Sequence, residues 1–154
     1  MQKDFEGWGK LKIILNDRET RNEYNRVVFG CYSREIWVCS IGINIGSELD
    51  GKNITYSRPV LVLKVFNPEM FWGIPLTTKG HDGDFYYKFN LGGIDNVAVL
   101  SQISLFSTKR LDRKVAVLPK KMFVELCKKF IKLVENEIPL AGEISEAEAL
   151  VNLE

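Results

Sequence analysis

The sequence predicts a mainly β chain with flanking α elements: a small, mostly antiparallel barrel followed by an amphipathic helix and preceded by a short extra one. Three observations lead there. Short segments rich in β-branched and aromatic residues recur from Glu35 to Val117, turn residues such as Asn67-Pro68 and Gly92-Gly93 separate them, and helical spacing is confined to the two flanks. At 154 residues the chain has single-domain length, enough to bury about two-thirds of the surface its unfolded form exposes.

From the N-terminus, Asp4 to Asn16 reads as a helix that packs on the core, with Trp8, Leu11, Ile14 and Leu15 at spacings of three and four. Asn16 to Asn25 is polar and reads as a loop or linker. Arg26 to Gly30 reads as a short extended piece entering the barrel, the alternative being disorder up to Glu35. Glu35 to Gly42 is the first strand. Further strands are expected over Pro59–Phe66, Met70–Leu76, Asp84–Asn90, Asn96–Ser104 and Lys114–Val117. Pro119 to Val134 is an amphipathic helix, with Met122, Phe123, Leu126, Phe130, Leu133 and Val134 on one face and lysines on the other. Beyond Pro139, Ser145 and Glu148 have the spacing of a capping box for a short acidic helix, the plainer reading being a solvated end. The organisation is thus an N-terminal extension over 1–34, a barrel with its helix over 35–134, and an acidic extension over 135–154.

Charge is distributed unevenly along these parts. Residues 1–34 hold 7 Lys/Arg and 5 Asp/Glu, residues 35–133 hold 14 and 9, and residues 134–154 hold 0 and 6. A basic body therefore carries an acidic tail, and Lys109, Arg110, Arg113 and Lys114 make a cluster suited to a phosphate backbone. No apolar run reaches the ~18 residues of a membrane span, and the start lacks the order of a signal peptide, so the expected compartment is the cytoplasm. Cys31, Cys39 and Cys127 are widely spaced and odd in number, which fits three reduced thiols. The single histidine, His81, lies in a polar loop, with no second histidine beside it for a zinc site and no nucleophile-elbow glycine pattern to go with a Ser-His-Asp arrangement.

The segment richest in chemistry runs from Gly46-Ser47-Glu48 through the turn Asp50-Gly51-Lys52-Asn53 to Arg58-Pro59 and the apolar run Val60 to Val65. An arginine at the mouth of a strand, next to a proline that restricts its backbone, can present its planar fork to a phosphate. Pro75-Leu76-Thr77-Thr78 ends another strand in two hydroxyls, and Ser101-Gln102-Ile103 places a neutral amide near the end of a third. With Lys109-Arg110-Leu111, these five groups occur in an order and spacing by which the chain resembles the PemK/MazF toxin family over Glu35 to Leu133.

The resemblance implies an SH3-like antiparallel barrel of the PemK/MazF/CcdB type and a two-fold dimer with RNA in the groove between subunits. It implies a sequence-selective, metal-independent endoribonuclease toxin that cleaves single-stranded RNA to 2′,3′-cyclic phosphate and 5′-hydroxyl ends, needs no cofactor, and is neutralised by a cognate antitoxin. By the same likeness Arg58 and Thr77 are catalytic, while Ser47, Glu48, Thr78, Ser101, Gln102, Lys109 and Arg110 bind substrate. Ser104 stands where many relatives carry arginine, so part of the basic rim is missing. Two other functions suit the fold: a gyrase-inhibiting toxin like CcdB, or a catalytically silent nucleic-acid-binding barrel. Taken singly, Arg58 can merely brace a loop and Gln102 merely satisfy buried backbone groups.

Overall fold

In the computed structural model, residues 3–19, 30–80 and 82–136 are described. The expected extended piece at Arg26 to Phe29, the acidic helix beyond Pro139 and His81 lie outside them. The elements are α1 (Phe5–Asn16), β1 (Glu35–Ser40), β2 (Ser57–Asn67), β3 (Met70–Thr77), β4 (Tyr86–Leu91), β5 (Ile94–Val99), β6 (Ser104–Ser107), β7 (Leu111–Val117) and α2 (Lys120–Glu135).

Local chemistry explains most boundaries. Asp4 caps α1, its carboxylate accepting the Gly7 N–H at 2.8 Å. Asn67 turns β2 into β3 by accepting the Glu69 and Met70 N–H groups at 2.8 and 3.1 Å. Gly92 and Gly93, at φ 60° and 82°, close the β4–β5 hairpin, where both positions require the left-handed region.

All strand pairs are antiparallel and run in the order β4-β5-β3-β2-β1-β7, with β6 also on β3. This path does not return on itself, so the small antiparallel barrel that was expected is, in its hydrogen bonding, an open sheet. One expected strand is two. Asn96 to Ser104 breaks at a 3-10 turn, Leu100–Gln102, because β3 exchanges neighbours there: Met70 to Gly73 pair with β6, whereas Leu76 and Thr77 pair with β5. Pro75, which has no N–H to give, falls in the gap between the two pairings.

The central strands are buried on both faces. Leu61, Ile74, Leu76 and Leu100 join a core that α2 covers with Met122, Phe123, Leu126, Phe130 and Leu133, while Val60, Val62, Phe71, Phe106 and Leu111 join a second core with Cys39. Two residues assigned to apolar faces are exposed instead. Val134, in the last turn of α2, lies beyond the reach of the sheet, and Ile14 of α1 points outward because that helix is seated on Trp8. No helix among the described residues is long and apolar enough to cross a membrane.

Candidate functional site

The register brings Arg58 and Thr77 together. The β2–β3 ladder ends at the pair Val60 and Pro75, and just past it Arg58 on β2 and Thr77 on β3 both turn into one cleft. Cys39 flanks Arg58 on the other side and Val97 flanks Thr77. Arg58, Thr77 and Thr78 line one cleft of about 430 Å³ with Lys52, Asn53, Thr55, Ser57, Asn96 and Arg113.

Arg58 is half-buried and anchored at one corner only. Its Nε donates to the Asp50 carbonyl oxygen at 2.6 Å, the one hydrogen-bond partner of the guanidinium among the described residues. The terminal nitrogens are thereby aimed and left available, which is how an arginine is prepared for a bidentate anion. Burial lowers the Arg58 pKa, and the negative Asp50 opposes that shift, so the group stays cationic at neutral pH. Thr77 is buried, and its Oγ1 accepts the Lys79 N–H at 3.2 Å while its own proton remains to be donated. Thr78 beside it is exposed.

Other candidates stand elsewhere. Glu48, Ser101 and Gln102 line a second cleft of about 360 Å³ with Ile41, Asn44, Leu49 and Ser104. Here Gln102 holds the β1–β2 loop: its Oε1 accepts the Leu49 N–H at 2.7 Å and its Nε2 donates to the Ser47 carbonyl at 3.0 Å. Glu48 accepts the Ile45 N–H at 2.9 Å and so closes its own turn. Lys109 and Arg110 are in neither cleft. Lys109 donates to the Asn16 carbonyl at 2.5 Å, and Arg110 donates to the Ser40 carbonyl at 2.9 Å with its guanidinium 5.4 Å from the Trp8 ring. Both fasten α1 to the sheet.

The cleft also gathers residues that were not singled out as site residues. Lys52, Asn53 and Thr55 come from a tight excursion closed by reciprocal bonds between Lys52 and Ser57 at 2.8 and 3.0 Å. The signal was there in the polar turn Asp50 to Asn53, and Asn53 at φ 60° uses the left-handed tolerance of its side chain. Arg113, noted as part of a basic cluster, is separated in space from Lys109 and Arg110 and belongs to this cleft. Among the described residues no three His, Cys, Asp or Glu side chains gather as metal ligands.

A family model for the PemK-like, MazF-like toxin of type II toxin-antitoxin systems matches residues 32–134. The chain belongs to this family. No curated protein matches it in sequence. Solved structures of PemK/MazF proteins share its fold at low identity. MazF from Deinococcus radiodurans is 17% identical with a TM-score of 0.56, over 70% of this chain and 98% of that one. An endoribonuclease in complex with its cognate antitoxin, from a mycobacterial species, is 9% identical with a TM-score of 0.56, over 71% and 100%. The toxin MazF-mt6 of Mycobacterium tuberculosis is 16% identical with a TM-score of 0.51, over 66% and 97%. The family match begins after α1 and ends within α2, so α1 lies outside the matched segment.

Proposed function

We propose that this PemK/MazF-family chain is a sequence-selective endoribonuclease toxin that cleaves single-stranded RNA without a metal ion, works as a two-fold dimer in the cytoplasm, and is neutralised by a cognate antitoxin. The observation that carries the reading is the meeting of Arg58 from β2 and Thr77 from β3 in one cleft, with two guanidinium nitrogens unbonded among the described residues.

RNA supplies its own nucleophile, so the protein's task is placement and charge. The 2′-oxygen attacks the adjacent phosphorus and loses its proton, the bond to the 5′-oxygen breaks, and that oxygen gains a proton; the ends are a 2′,3′-cyclic phosphate and a 5′-hydroxyl. Arg58 clamps the two non-bridging oxygens as charge grows on them, in a half-buried setting where such stabilisation is worth more than in water. Thr77 donates its hydroxyl proton to the same phosphate, and Thr78 offers a second hydroxyl at the rim. Lys52 and Arg113 track the neighbouring phosphates by charge. Glu48, Ser101 and Gln102 act through the second cleft as walls that receive bases, with Ser47 held by Gln102 through its carbonyl and Glu48 committed to its own loop and not to proton transfer. Lys109 and Arg110 contribute only long-range positive potential.

The test is cleavage of a long mixed-sequence RNA in excess EDTA by the wild-type protein, Arg58→Ala and Thr77→Ala, with product ends mapped. Cuts at a recurring short motif with cyclic phosphate ends, lost in both variants, support the reading. Absence of cutting by dimeric wild-type protein overturns it in favour of gyrase inhibition or passive binding.

A further inference from the structure

We infer that α1 with the residues that lead into it, ahead of the segment that matches the PemK/MazF family, is a positioning element for Arg58: Lys3, Asp4 and Trp8 hold the β1–β2 loop in the shape that aims the guanidinium. The inference rests on the assignment of Arg58 made above for its consequence in catalysis, and on contacts alone for the bracing itself.

The connection from Ile41 to Tyr56 is long and has little regular structure, so fixing its shape needs contacts from outside it. Gln102 fixes only its middle, at Ser47 and Leu49. The part that touches Arg58 is held by the residues that lead into α1. Lys3 donates to the Asn44 carbonyl at 2.5 Å and pairs with the Asp50 carboxylate at 3.0 Å. That carboxylate also accepts the Asn44 N–H at 2.7 Å, and the carbonyl of the same Asp50 takes Nε of Arg58. Lys3 is thus one residue removed from the guanidinium.

Tyr56, two residues before Arg58, is held in the same way. It adopts φ 46°, a strained value for a tyrosine, and is kept there by its neighbours. Its hydroxyl donates to the Asp4 carboxylate, its ring meets Trp8 edge-on at 5.8 Å, and its carbonyl accepts the Gly42 N–H at 3.0 Å. Gly42 makes room for the indole: a Cβ there would lie 2.4 Å from Trp8. Arg110 lies against the Trp8 ring and Lys109 caps the far end at Asn16, so the helix is itself anchored to the sheet while it holds the loop. None of Lys3, Asp4 and Trp8 falls in the segment that matches the family.

The experiment compares wild type, Lys3→Ala, Lys3→Arg and Tyr56→Phe, none of which removes a core side chain. Hydrogen exchange is followed at the amides of Asn44, Gly51 and Lys52, which bond to Asp50, Gly42 and Ser57 within the braced loop and at its junction with β2. RNA cleavage is resolved into kcat and KM. Lys3→Ala and Tyr56→Phe are expected to lose protection at these amides and to lower kcat about tenfold with KM within about twofold, since a small misplacement of a clamp costs rate before it costs binding. Lys3→Arg keeps a donor at Asp50 and restores both. Unchanged protection overturns the brace. Lost protection with unchanged kcat, or a loss confined to KM, overturns the link to Arg58. A wild-type protein that cuts no RNA defeats the ribonuclease assignment instead, and the exchange arm, which needs no activity, tells the two failures apart.

Discussion

Arg58 and Thr77 line one cleft from the ends of β2 and β3, with the arginine fixed through Nε to the Asp50 carbonyl at 2.6 Å and the threonine fixed through its oxygen to the Lys79 N–H at 3.2 Å. Each is tied to the protein by the part of its side chain that an anion does not need. Arg58→Ala should therefore reduce RNA cleavage by about 100-fold or more, the loss expected when a transition-state donor is removed, while the lost bond to Asp50 costs only about 1–2 kcal/mol and leaves the protein folded. Arg58→Lys should fare little better, because an ammonium cannot both hold the Asp50 carbonyl and present two parallel donors. Cleavage assays paired with melting curves check this. A lysine variant of near wild-type rate would show that charge alone suffices and that the anchored fork is incidental.

Gln102 is the candidate whose plain role the geometry favours. Its amide satisfies the Leu49 N–H and the Ser47 carbonyl at once. Gln102→Ala leaves both without that partner and should cost about 1 kcal/mol in stability, with faster exchange at the Leu49 amide. Chemical denaturation and hydrogen exchange measure it. If the variant keeps full stability and loses only RNA affinity, the amide serves the substrate and not the loop.

The strands were legible because alternation and turn residues agree, as at Asn67-Pro68 and Gly92-Gly93, where local chemistry alone dictates the reversal. The break at Leu100–Gln102 was not, since Val97 to Ile103 is nearly continuous in apolar character and only the exchange of partners on β3 divides it. The openness of the sheet is likewise a property of which edges meet, and no single segment carries it. The same limit divides the site. Arg58 and Thr77 stood out through the order of motifs, but their meeting in one cleft depends on how β2 and β3 pair. Lys109 and Arg110 read as a basic patch because their partners Asn16, Ser40 and Trp8 are distant in sequence.

The thiols should behave as three unequal groups. Burial pushes Cys31 up to about 11 and Cys39 up to about 12, with the Glu35 charge adding to the first and Arg110 opposing the second. At pH 8 their thiolate fractions are then about 10⁻³ and 10⁻⁴, and neither is open to reagent. Cys127, on the half-buried side of α2 with its pKa raised by burial, should react slowly and first. A thiol-reactive chromophore should therefore count one equivalent in the folded protein and three in denaturant. Three rapid equivalents under native conditions would contradict this packing.

Glu35 supplies the clearest dependence on pH. It is 7% exposed, yet its carboxylate accepts the Tyr32 N–H and the Trp37 indole N–H at 2.9 Å each and the Lys114 ammonium at 3.1 Å. Burial alone would raise its pKa, but these donors and the lysine charge outweigh it and hold the carboxyl below its ordinary 4.5. A group depressed in the folded state stabilises fully above its unfolded value and loses that contribution as pH falls through the folded one. Glu35→Gln keeps the shape and an acceptor but exchanges charge-assisted bonds for neutral ones, which should cost about 1–3 kcal/mol at pH 7. The gap in Tm between wild type and variant should be constant from pH 7 down to about 5 and should narrow below 4.5, as Glu35 takes up a proton first in the unfolded chain and then, at lower pH, in the folded one. A gap that persists unchanged at pH 3 would mean that the variant suffers from altered packing around Trp37, with the ionised carboxylate contributing nothing of its own.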